Sequence, residues 1–98
     1  MTLQFEGEVI YWKGPAPFLF VRVPEAESRE IKAVERFVTY GWGCIPAAAK
    51  IGETEFTTAL IPREGRYLLP VKVVVQRAEG VDEGHVVQAT IQLDLKID

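Results

Sequence analysis

One pattern is written twice in this chain, and it constrains the fold more than any single motif does. In the first half the apolar run FLFVRV, 18–23, meets Pro24, then a helix-like segment, then Gly43 and another apolar run. In the second half Tyr67-Leu68-Leu69 meets Pro70, then a segment with helix-capping chemistry, then Gly84 and a further run. Proline ends a central strand and suits the first turn of a helix. Glycine takes the left-handed conformation that helix ends and tight turns require. Pro24 to Gly43 is 19 residues and Pro70 to Gly84 is 14, so the repeat is one of grammar and not of spacing. Two such halves imply a pseudo-two-fold barrel made from one chain.

The segments between these marks read as follows. In LQFEGEVIYW, 3–12, Leu3, Phe5, Val9 and Tyr11 share one parity and Gln4, Glu6 and Glu8 the other, the alternation of a half-buried strand. FLFVRV is apolar on both faces except at Arg22, as a central strand would be. Residues 44–51 and 54–61 flank Gly52-Glu53 and read as a β-hairpin. PREGR, 62–66, reads as an exposed loop. From Val87 to Asp98 apolar and polar residues alternate without a break, marking the last strand.

Two short helices are expected, at about 28–38 and 71–79. Ile31, Val34, Phe37 and Val38 form one apolar stripe, with Ser28 as cap and Glu25, Glu27 and Glu30 suited to the positive end of the helix dipole. Valines at 71, 73, 74 and 75 have strand propensity, but Pro70 before them and Gly80 after them favour a helix with Val71, Val74, Val75 and Ala78 on its buried face. A valine costs only a few tenths of a kcal/mol in a helix, less than its burial returns. The fold class is therefore mainly β: a pseudo-two-fold barrel with two short helices, as a single domain over 1–98.

Composition narrows the function classes. The 98 residues carry a net charge of −3, one cysteine and one histidine. A lone cysteine excludes an internal disulfide and, with a single histidine, a Cys/His zinc centre. No Gly-rich phosphate loop or dinucleotide fingerprint is present. With no apolar run long enough to span a bilayer and acids in the N-terminal stretch, a cytoplasmic protein is expected, with no membrane partner and no cofactor. Cys44 and His85 form the only conceivable nucleophile–base pair. Neither has a third group to orient it, so they read as a packed thiol and a surface imidazole, and the chain reads as a non-enzyme.

Charge is uneven: −1 over 1–49, +2 over 50–77 and −4 over 78–98. The local excess comes from Lys50, Arg63, Arg66, Lys72 and Arg77, of which Arg63, Arg66, Lys72 and Arg77 make the candidate binding patch. Trp12, Tyr40, Trp42 and Tyr67 make a candidate aromatic cleft, although core packing is the commoner fate of such side chains.

Taken together, "FEGEV…W", "FVRVP", "YGWG", the 51–62 hairpin and "GRYLLPVK..VQRAEGV..G" resemble the bacterial and archaeal "domain of unknown function 1905" family over nearly the whole chain. The resemblance implies a small closed barrel of the double-split type. One departure is His85, where the family pattern has aspartate after the glycine. The last third is also similar to swapped-hairpin regulator domains, dimers that bind DNA. The expected function is a non-enzymatic binding or interaction module, a monomer or weak homodimer with no partner specified. Nucleic-acid binding, and small-molecule binding in the aromatic cleft, are the alternatives.

Overall fold

The structure is a computed structural model, describing residues 1–13, 17–38 and 44–95. Six antiparallel strands close a barrel: β1 (Thr2–Lys13), β2 (Pro17–Arg22), β3 (Ile45–Ile51), β4 (Thr54–Arg63), β5 (Arg66–Val71) and β6 (Val86–Gln92). Helix α1 (Glu25–Val34) follows β2 and α2 (Val73–Glu79) follows β5. Around the barrel the order is β1-β2-β5-β4-β3-β6, with β6 returning to β1.

The written-twice pattern becomes an internal two-fold. Each half runs long strand, short strand, helix, strand. β1 pairs first with β6 (Thr2↔Gln92 to Glu8↔Val86) and then with β2 (Val9↔Val21 to Lys13↔Pro17). β4 likewise pairs first with β3 and then with β5. The β2–β5 and β3–β6 ladders join the halves across the axis. Strands that change partner midway let a six-stranded sheet curl shut with few residues.

The interior is filled by Phe5, Val9, Val21, Ile45, Ile51, Leu60, Leu69, Val71, Ile91 and Leu93, with Ile31 from α1 and Val75 from α2 closing over it. Ala47 and Ala49 of β3 and Ala89 of β6 are buried, so two of the three alanines of CIPAAAKI mark close packing, while Ala48 between them is exposed on the outer face.

Both helices differ in extent from their sequence reading. α1 begins three residues before Ser28, with Pro24 as its cap, because the Pro24 carbonyl already accepts the Ser28 N–H at 2.9 Å. It ends at Val34 and tightens into a 3-10 turn over Glu35–Phe37. The Ser28 hydroxyl is needed elsewhere: it donates to the Val23 carbonyl at 3.2 Å and accepts the Tyr67 N–H at 3.2 Å, finishing the β2–β5 ladder where Pro24 ends β2. Ser28 is the one buried polar side chain among the described residues, at 2% exposure.

α2 starts at Val73, not 71. Pro70 and Val71 remain in β5, opposite Phe20 and Leu19. The Pro70 carbonyl accepts the Thr58 hydroxyl at 3.4 Å, so its missing N–H also faces β4, past the end of the β4–β5 ladder, where no strand bond is lost. The expected valine face therefore does not form. Val71 is buried as a strand residue, Val75 is the buried residue of α2, Ala78 is exposed, and Val73 and Val74 stand 55% and 67% exposed. The capping end is as expected: Gly80 is left-handed (φ 62°), the Val81 N–H reaches back to the Gln76 carbonyl at 3.0 Å, and Val81 is buried.

Candidate functional site

The segment read as a loop, 62–66, is the tip of the β4–β5 hairpin. Glu64 and Gly65 both have positive φ (52° and 78°), the two-residue turn whose twist matches its strands. Glycine, asparagine or aspartate normally fills the first such position; a glutamate there is strained. The turn places Arg63 directly across from Arg66. Like charges in that relation destabilise a hairpin. Two local rules are broken at one exposed tip, a combination characteristic of functional sites.

Each arginine is held differently. The Arg63 guanidinium lies 4.2 Å from the Trp12 ring centroid, and Trp12 packs at 5.6 Å on Phe20. Phe20 and Leu68 are buried outside the main interior, one residue out of phase with the core positions Val21 and Leu69. Trp12, Phe20 and Leu68 thus form a small apolar layer on the barrel's outer side, with Arg63 over it. Arg66 donates through Nε to the Val23 carbonyl at 3.1 Å, which fixes its stem at the end of β2.

α1 supplies the opposite wall. Arg29 and Lys32, three residues apart and so on one helix face, line a cleft of about 440 Å³ together with Ser28, Arg63, Arg66 and Tyr67. Arg29 pairs with Glu25 at 2.9 Å and Lys32 with Glu35 at 2.7 Å. A shallower hollow of about 170 Å³ lies on the other side of the tip, where Arg22 joins Arg63 and Arg66. Beneath the cleft the Tyr67 hydroxyl donates to Glu35 at 3.2 Å. The Lys32 hydrogen bond, with help from Tyr67, holds the Glu35 carboxyl below its ordinary range, while burial and the neighbouring Glu35 charge push the Tyr67 phenol up to about 12.

The four basic residues singled out in the sequence therefore divide. Arg63 and Arg66 come together at the tip. Lys72, the cap of α2, and Arg77, on α2, lie at the far end of β5, roughly 20 Å away along the strand. Trp12 and Tyr67 do not share a cleft: Trp12 is on the outer layer and Tyr67 faces the core, 3% exposed. Tyr40 and Trp42 lie outside the described residues. Cys44, half-buried ahead of β3, and His85, exposed ahead of β6, stand at opposite ends of the antiparallel β3–β6 ladder. His85 serves its own turn, accepting the Asp82 N–H on Nδ1 at 3.2 Å.

Sequence reading missed Arg22, Arg29 and Lys32. The three-residue spacing of Arg29 and Lys32 put them on one helix face, but only the β2–β5 register carries α1 to the hairpin tip. Two further hollows, about 350 and 540 Å³, share Ala48, Thr57 and Gln92 on the outer face of β3, β4 and β6; their common floor is small and uncharged.

The chain matches the family model described as Domain of unknown function (DUF1905) across residues 5–91. It belongs to that family. The DUF1905 match takes in α1 and the whole β4–β5 hairpin, and hence every residue of the cleft. No curated protein matches the chain. Among the described residues, no helix is long and apolar enough to cross a membrane.

Proposed function

We propose that this chain is a non-enzymatic binding module whose ligand is anionic and is held at the β4–β5 hairpin tip. The observation that carries the reading is the cross-strand Arg63–Arg66 pair on a strained turn. Two like charges set across one ladder position raise the energy of the empty protein, and a shared anion would relieve them. Arg22, Arg29 and Lys32 converge on the same tip from β2 and α1.

The test is a ¹⁵N-HSQC titration of the full chain at 50 mM salt with phosphate, citrate and a single-stranded (dT)12. At least one should give saturable shifts centred on 62–67 that fade as salt rises. If none of them shifts those amides, the reading is wrong. A nucleic-acid strand is the second reading, favoured by the Trp12–Arg63 stack beside Arg22 on the outer face. It requires that (dT)12 shift Trp12 and Arg22 as well as the tip.

A further inference from the structure

Resting on the reading of the tip as an anion site, we infer that its ligand is a compact phosphate monoester seated between α1 and the β4–β5 hairpin. The cleft there has the size of a small-molecule site, and cations approach it from two walls: Arg29 and Lys32 from α1, Arg63 and Arg66 from the hairpin. A planar carboxylate offers two oxygens in one plane. A tetrahedral phosphate presents three terminal oxygens and up to two charges, and meets donors on both walls at once.

The α1 cations are available for this. The Arg29–Glu25 pair is open to water at both ends (side chains 70% and 75% exposed), and Lys32 is 68% exposed in its pair with Glu35. Exposed pairs of this kind contribute little, so transferring either cation to a phosphate costs little. Arg66 is anchored by its Nε on the Val23 carbonyl, and the same side chain lines the cleft. Pro62, exposed beside these cations, adds an apolar side for the organic part of the ligand.

The surroundings disfavour a long polyanion. Glu25 beside Arg29, Glu35 beside Lys32 and Glu64 at the turn flank the cations. Backbone binding along a nucleic acid needs an extended basic track, whereas these acids confine the positive field to one ligand-sized spot.

The inference is tested by titrating phenyl phosphate, sulfate, citrate and (dT)12 into the full chain and its variants, read by ¹⁵N-HSQC and isothermal calorimetry. Phenyl phosphate should shift amides of both 28–32 and 62–67, and bind at least about fivefold more tightly than sulfate or citrate. Arg29→Gln and Lys32→Gln should each weaken it by about three- to tenfold with unchanged melting temperature, since both side chains are exposed. Arg77→Gln, at the far end of β5, should change nothing. Sulfate or citrate binding as tightly, (dT)12 binding more tightly, or full affinity in both α1 variants would overturn the phosphate-monoester assignment while leaving the tip an anion site. Silence of 62–67 towards every probe would overturn both.

Discussion

The two halves of this barrel share a frame and differ in what they put on it. Val9 and Val21 in the first half answer to Leu60 and Leu69 in the second, all four fully buried. Pro24 caps α1 as Lys72 caps α2. Four residues after each cap a side chain turns back to the carbonyl of the residue just before the cap: Ser28 to Val23 at 3.2 Å, Gln76 to Val71 at 2.9 Å. In β4 the Thr58 hydroxyl reaches the Pro70 carbonyl. At the equivalent place in β1 stands Gly7, where an added Cβ would lie 2.6 Å from the Arg22 carbonyl oxygen and 2.5 Å from a Val21 methyl. The backbone contact is the same, with room for a side chain in one half and none in the other. The helices diverge further: α1 packs on β5, whereas α2 leans on β4 and is tied to it by the Thr54 hydroxyl on Glu79 at 2.6 Å. Symmetry explains the barrel; the departures from it set the candidate site apart, because α1 meets a hairpin tip that carries two arginines.

The sharpest way to break the comparison is at its tightest point. Gly7→Ala should destabilise the chain by about 3 kcal/mol, since the obstructing atoms include backbone, while Thr58→Ala at the matching place should cost at most about 1 kcal/mol. Urea denaturation of the two variants measures the difference, and equal losses would refute the matched-position reading. Ser28 against Gln76 comes next. Ser28→Ala leaves the buried Tyr67 N–H without its acceptor and should cost about 1–3 kcal/mol; Gln76→Ala, which removes a part-buried bond, should cost about 0.5–1.5 kcal/mol. The smallest effect is confined to alkaline solution. The Tyr67 phenol has its folded pKa raised to about 12 from 10.0, so its contribution to stability is complete below pH 10 and is lost as pH rises towards 12. Tyr67→Phe should flatten that alkaline decline in urea midpoint, and an unchanged decline would show that Tyr67 does not cause it.

Much of this frame is legible in the sequence because alternation and punctuation are local signals. The parity of β1 as far as Val9, that of β6, the Gly52 hairpin and the Gly80 cap follow from neighbouring residues alone, whereas Tyr11, placed by parity on the buried face, is exposed. What fails is what depends on hydrogen bonds made at a distance. Ser28 looks like a helix cap and is instead the end of a strand ladder, because Tyr67 needs an acceptor. Pro70 looks like a helix start and remains a strand residue, because its bare nitrogen faces a finished ladder. The site was half legible for the same reason. Arg63 and Arg66 are near neighbours in sequence, but the tight turn that sets them opposite each other hides in PREGR, where glutamate takes the place of a more telling residue. Arg29 and Lys32 reach the tip only through the pairing of β2 with β5.

The ladder between β1 and β6 joins the earliest strand to the latest, Thr2 to Gln92. This sets a clock on folding. Contacts of such long sequence separation are slow to form, and neither half can close alone, because β2–β5 and β3–β6 each draw one strand from either side. During synthesis β1 waits with an unsatisfied edge until β6 has emerged. In that interval the same edge is open to the β6 of another molecule, so intramolecular closure competes with exchange between chains, and crowding of nascent chains shifts the balance towards exchange.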